Sequence, residues 1–150
     1  MDERLDEVMR IMDAAFDAAF GEAWNRQQVS DALTTPNTHL LVAPSQTAGE
    51  GDGFLLSRAA PGEEELLLLA VRPECRRRGV ASRLLEEFKK AAEARGAERL
   101  FLEVRVNNPA QDFYRLHGFQ QIGRRRDYYR QPNGERLDAI TFGFNFPPSG

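Results

Sequence analysis

The stretch from Leu66 to Gly96 constrains the fold more than any other part of the chain. Leu66 to Val71 is an unbroken apolar run bounded by turn residues. A run that short suits a strand buried on both faces, in the middle of a sheet. An arginine-rich turn follows, and then Val80, Leu84, Leu85, Phe88, Ala91 and Ala92 form the apolar stripe of a helix, with Gly96 as its natural C-terminal cap. Leu100 to Val104 reads as the next strand. A strand, a helix and a strand in this order predict a parallel crossover through the Val80 to Arg95 helix.

The flanking segments complete a mixed sheet. Leu5, Val8, Met9, Met12, Phe16 and Phe20 recur at three- and four-residue spacing, which predicts an amphipathic helix ended by Gly21. A second helix is expected from an Asn25 cap to Leu33. Strands are predicted at Leu40–Ala43 and Gly53–Arg58, with a turn over Ala59–Glu64. Pro109 opens a short helix ending near His117 and Gly118. Phe119–Ile122 and Asp127–Arg130 read as one interrupted strand, and after a turn at Pro132-Asn133-Gly134 an antiparallel partner runs from Ala139 to Phe146. The expected fold class is α/β, an α+β mixed sheet with helices on both faces.

Bulk properties narrow the function classes. At 150 residues, residues 1–150 are expected to form a single domain with a real core. The net charge of -3 provides no global basic field, so neither a specific nucleic acid nor an acidic membrane is expected as partner. Cys75 is the only cysteine, and with only His39 and His117 beside it no metal site is expected. The start of the chain is acidic, and no apolar run approaches the ~20 residues that span a bilayer, so a cytoplasmic location is the expectation.

The chemistry concentrates at Arg72-Pro73-Glu74-Cys75-Arg76-Arg77-Arg78-Gly79-Val80-Ala81. The first turn of a helix carries N–H groups without internal partners and a partial positive charge, which suits a phosphate. Gly79 and Ala81 are small enough for an anion to approach the backbone, and Arg76, Arg77 and Arg78 add charge. A solvated basic loop explains the arginines equally well. The Walker and dinucleotide-binding glycine patterns are both absent.

This turn resembles the acyl-CoA motif of the GNAT superfamily, [QR]-x-x-G-x-[GA], with Arg76, Gly79 and Ala81 in the signature places. A second motif of that superfamily, N-x-x-A-x-x-[LF]-Y-x-x-x-G-F, is matched by Asn107, Ala110, Phe113, Tyr114, Gly118 and Phe119. Within the superfamily, the Leu102-Glu103-Val104-Arg105 segment, the Gly123 to Tyr129 stretch, the Gly134 to Ile140 stretch and Phe20-Gly21-Glu22-Ala23-Trp24 resemble the ribosomal-protein-alanine N-acetyltransferases. The resemblance covers about residues 5 to 144. It implies the GNAT acyl-CoA N-acyltransferase fold and acetyl-CoA as co-substrate. It implies that Arg76, Arg77, Arg78, Gly79, Val80, Ala81 and Ser82 hold the CoA pyrophosphate. It implies further that Leu69, Ala70 and Val71 pair with the pantetheine arm, and that Asn107 or Asn108 contacts the cofactor. The implied acceptor is a protein N-terminus, that of a ribosomal protein.

Glu103 interrupts an apolar strand, where a carboxylate needs either a partner such as Arg105 or a cavity. Tyr114 on its own reads as a core aromatic. The resemblance casts Glu103 as the base that deprotonates the amine, directly or through water, and Tyr114 as the acid that protonates the departing thiolate. Trp24, Tyr128 and Tyr129 are candidates for a peptide cleft or for ordinary packing. Two rival readings stay open here: an enzyme of the same superfamily acting on a small-molecule amine, and a sensor that binds acyl-CoA without turnover.

Overall fold

The computed structural model describes residues 3–15, 24–43, 51–76, 79–131 and 133–148. Helices α1 (Glu3–Ala15) and α2 (Arg26–Thr34) precede strands β1 (Thr38–Ala43), β2 (Gly53–Ala60) and β3 (Glu63–Val71). A 3-10 turn at Pro73–Cys75 leads to helix α3 (Val80–Ala94) and strand β4 (Arg99–Arg105). Helix α4 (Gln111–Leu116) and strands β5 (Gln120–Arg130) and β6 (Arg136–Asn145) complete the order. The predicted contributions of Phe16 and Phe20 to the first helix, its stop at Gly21, and Arg77 and Arg78 lie outside the described residues.

The strands form one six-stranded sheet in the order β1-β2-β3-β4-β6-β5. Among the described strands only β3 and β4 run parallel, joined by the α3 crossover as expected; the other neighbours are antiparallel. The last strand inserts between β4 and β5. Val8, Ile11 and Met12 of α1 and Val29 of α2 pack with Phe54, Leu56, Leu68 and Ala70 on one face of the sheet. Leu84, Leu85 and Phe88 of α3 pack with Leu55, Leu66, Leu102 and Phe142 on the other. The Leu66–Val71 strand therefore contributes to both cores, which is why its run is unbroken.

Helix α2 starts where its sequence predicts. Asn25 Oδ1 accepts from the Gln28 N–H at 2.8 Å and Gln28 Oε1 accepts from the Asn25 N–H at 2.9 Å, a reciprocal capping box. Several boundaries differ from expectation; β1 begins at Thr38 rather than Leu40, and β6 runs Arg136–Asn145 rather than Ala139–Phe146. The turn between β2 and β3 shrinks to Pro61 and Gly62, because Glu63 and Glu64 already pair with Ala60 and Ala59. Pro109 lies ahead of α4 rather than in its first turn, since Asn108 Oδ1 accepts the Ala110 N–H at 2.7 Å and holds an Asx turn there. Strand β5 is continuous, its irregular stretches accommodated by register shifts at Gln121/Gly123 and Arg125/Tyr129, with Asp127 at φ +54°.

Candidate active site

Strands β3 and β4 are in register over only Glu63↔Arg99, Glu64↔Leu100 and Glu65↔Phe101. Beyond these pairs β3 stays bonded to β2 as far as Val71, and β4 to β6 as far as Arg105, so the two central strands part like the arms of a V. A bulge marks the point of parting. Leu56 faces Leu68 and Ser57 faces Leu66, which leaves Leu67 without a partner on β2. A bulge bends its strand and re-aims its backbone groups. The edge of β3 from Leu66 onward thus presents amides and carbonyls to a gap in the middle of the sheet, where an extended ligand can add as a strand.

The gap holds a cavity of about 320 Å³. Leu66 to Leu69 of β3 and Leu102 to Arg105 of β4 line it, together with Asn108, Tyr114, Trp24, Gln28 and Tyr129. Of the predicted peptide-cleft aromatics, Trp24 and Tyr129 line this cavity. Tyr128 does not: it is 52% exposed and stacks against the Arg125 guanidinium at 5.0 Å. Of the two asparagines, Asn108 lines the cavity and Asn107 is exposed.

Glu103 sits opposite Thr141 of β6, with Leu102 and Val104 on either side turned into the α3 core. Its side chain is only 18% exposed, with Arg125 Nε 3.5 Å from Oε2. That oxygen accepts no hydrogen bond, although it is buried. Both readings of Glu103 meet here: the carboxylate lies at a cavity and has a cation beside it, supplied by Arg125 rather than by Arg105. A buried carboxylate oxygen with unused lone pairs is able to take a proton from a donor in the cavity.

Tyr114 is buried, packed edge-on against Phe113 and Phe119 with centroids 5.4 and 5.9 Å away. It is therefore a core aromatic and a cavity residue at once. Gln28 and Arg105 also line the cavity, which their sequence positions do not by themselves announce. Arg105 is buried, its guanidinium 4.5 Å from the Tyr129 ring. A cation inside a strand next to Glu103 was the available signal for it; Gln28 reads in the sequence only as a capping residue.

The turn after β3 has the features expected of an anion site. Gly79 stands at φ +77° as the residue before α3, a conformation that favours glycine, and space around it is open. No side chain caps the helix, so the first-turn N–H groups of Val80, Ala81 and Ser82 face outward without a protein acceptor from their own helix. Arg76 is exposed, and its guanidinium donates to the Ala15 carbonyl at the end of α1 at 2.7 Å. Ser82 Oγ lies 3.0 Å from His117 Nε2. The open edge of β3 ends at Val71 and the uncapped end of α3 begins at Val80; the first suits an extended amide-bearing chain and the second an anion. Among the described residues no cluster could hold a metal ion, and no helix is long and apolar enough to cross a membrane.

The chain is similar in sequence and fold to known proteins. The chain is 39% identical over 88 residues to the [ribosomal protein bS18]-alanine N-acetyltransferase of Haemophilus ducreyi, a match covering 58% of this chain and 61% of that protein. It is 36% identical over 112 residues to the N-alpha-acetyltransferase RimI of Mycobacterium tuberculosis, covering 73% of this chain and 69% of that one. The crystal structure of the ribosomal-protein-S18-alanine N-acetyltransferase from Escherichia coli superposes with a TM-score of 0.84 at 27% identity, over 100% of this chain and 93% of that one. Residues 5–119, from the first helix to the end of the second signature motif, match the acetyltransferase (GNAT) family, and the chain belongs to it.

Proposed function

We propose that this protein transfers the acetyl group of acetyl-CoA to the N-terminal amine of a protein, an alanine-initiated ribosomal protein being the acceptor. The observation that carries the reading is the parting of β3 and β4, which puts Glu103 and Tyr114 on one cavity beside an unpaired strand edge. Membership of the family supports acetyl-CoA as donor, and the named relatives in Haemophilus ducreyi and Mycobacterium tuberculosis support a protein N-terminus as acceptor.

In this reading Leu69, Ala70 and Val71 hold the pantetheine arm by main-chain hydrogen bonds. Arg76, Arg77, Arg78, Gly79, Val80, Ala81 and Ser82 hold the diphosphate, with Asn108 rather than Asn107 beside the arm. The reaction is aminolysis of a thioester. An N-terminal amine has a pKa near ~8 and is partly neutral at physiological pH, so a modest base suffices. Glu103 takes the proton from the attacking nitrogen. The re-aimed amides around the Leu67 bulge steady the carbonyl oxygen as charge develops on it. Tyr114 gives a proton to the sulfur as the carbon–sulfur bond breaks. Trp24 and Tyr129 narrow the entrance opposite the thioester, where the first residue of the acceptor enters.

Mass spectrometry of peptides incubated with the protein and acetyl-CoA tests this. The expected result is one acetyl group on an alanine-initiated peptide and none on its N-terminally blocked counterpart. Acetylation of polyamines or amino acids with no peptide modified would overturn the acceptor assignment. Binding of acetyl-CoA with no amine acetylated would overturn turnover itself.

A further inference from the structure

A polar chain outside the catalytic cavity joins α3 to the end of α4. His117 Nδ1 lies 2.8 Å from Glu86 Oε2, and His117 Nε2 lies 3.0 Å from Ser82 Oγ. The ring has little freedom to leave. Phe113 packs on it with centroids 4.7 Å apart, the His117 N–H donates to the carbonyls of Phe113 and Tyr114, and Lys89 Nζ donates to the His117 carbonyl at 2.5 Å. Glu86 and Lys89 of α3 are the charged groups that face it, themselves 3.2 Å apart. On α4, Arg115 and Asp112 turn to one another at 3.6 Å, and from β6 the neighbour is the Phe144 ring, which lies under Lys89.

We propose that Glu86 and His117 set the direction in which the Ser82 hydroxyl donates, and thereby make the grip of α3 on the CoA diphosphate depend on pH. The inference rests on the proposed placement of the diphosphate at the α3 N-terminus. The Glu86 carboxylate only accepts, so His117 keeps a proton on Nδ1 in either charge state. When the imidazole is neutral, Nε2 is bare and takes the Ser82 O–H; Ser82 then turns lone pairs toward the diphosphate. When it is charged, Nε2–H donates to Ser82 Oγ, and the hydroxyl proton is free to reach a phosphate oxygen. One donor is exchanged for one acceptor at the same position, and a second positive charge stands behind it. His117 is a positioning residue here: it acts through Ser82 and touches neither the thioester nor the amine.

The test is CoA affinity by calorimetry between roughly pH 5.5 and 8. The phosphate monoester of CoA titrates at pH ~6 as well, so the informative quantity is the difference between proteins. Wild type is expected to lose affinity with rising pH, by roughly tenfold more than His117→Gln, whose amide donates at every pH. Ser82→Ala is expected to show the flat difference profile of His117→Gln, and the double variant no further change. The proposal is overturned if Ser82→Ala keeps the wild-type profile, or if His117→Gln does. S-acetylpantetheine, which lacks the diphosphate, serves as the second ligand. A His117→Gln effect of equal size on both ligands would mean a structural role for His117. CoA binding no tighter than the pantetheine thioester in wild type would instead refute the diphosphate placement itself.

Discussion

The two ends of the β3–β4 pair are made of the same strands and do opposite things. At the closed end Glu64, 1% exposed, accepts from Ser57 Oγ at 2.7 Å and from Arg95 Nε and Nη2 at 2.9 and 2.5 Å. Both its oxygens are hydrogen-bonded, and the pair ties β3 to the C-terminal end of α3. At the open end, on the neighbouring strand β4, Glu103 has one long ionic contact and an oxygen that accepts nothing. A buried carboxylate is tolerable in both places for different reasons: one is neutralised and hydrogen-bonded at both oxygens, the other borders a cavity. The closed end ties strand to helix, and the open end leaves a carboxylate oxygen of Glu103 unbonded beside a cavity. The proposed function depends on where pairing stops.

That contrast can be broken at the open end first. Glu103→Gln keeps the shape but cannot take a proton, so kcat/KM is expected to fall about 10²- to 10³-fold with the melting temperature unchanged. Steady-state kinetics with an alanine-initiated peptide decides it, and unaltered turnover would remove Glu103 from the mechanism. At the closed end the order reverses. Arg95→Ala leaves the Glu64 carboxylate buried without its cation; because Arg95 itself is partly exposed, the expected loss is about 2–3 kcal/mol of stability, at the lower end for a broken buried pair. A denaturant titration measures it, and a change within error would mean that Glu64 is satisfied by Ser57 alone.

A smaller effect is expected at the junction between strand and helix. Gly79→Ala places a side chain at φ +77° in open space, so the cost is backbone strain alone, about 1 kcal/mol. The Michaelis constant for acetyl-CoA should rise with it, because the turn that aims the N–H groups is distorted. A KM that stays constant would separate the turn from the cofactor. The smallest effect concerns Glu86. Burial pushes its carboxyl up, but hydrogen bonds from His117 and Lys89 and their charges outweigh that and hold it below the ordinary value of 4.5. A carboxyl lowered by folding adds stability that is complete above its unfolded value and lost as pH falls through the folded one. Acid denaturation curves of wild type and Glu86→Gln should therefore converge at low pH and separate slightly above about pH 4.5. Parallel curves across the whole range would show the carboxylate contributes nothing.

Much of the architecture was legible before any coordinates. The apolar run Leu66–Val71, the stripe of α3 and Gly96 are periodic or conformational signals that act over a few residues, and each appears where expected. The Asn25 cap is equally local. Of the candidate site, Glu103 was conspicuous because a charge interrupts an apolar strand, and Gly79 because a turn precedes a helix. Tyr114 was not: a core aromatic and a cavity aromatic look the same in a sequence, and this residue is both. Tyr128 and Tyr129 are neighbours with the same chemistry; strand alternation alone sends them to opposite faces, and the register of β5 decides that Tyr129 is the one at the cavity.

The sequence by itself determined the element order, the central strand with an apolar face on each side, and the phosphate-suited turn, because each rests on the spacing or backbone preference of neighbouring residues. The tertiary structure alone decided that β3 and β4 part after Glu65, that β6 enters between β4 and β5, and that Arg125 comes to Glu103 and His117 to Ser82. Those are meetings between residues far apart along the chain, set by packing and register, and no local pattern encodes them.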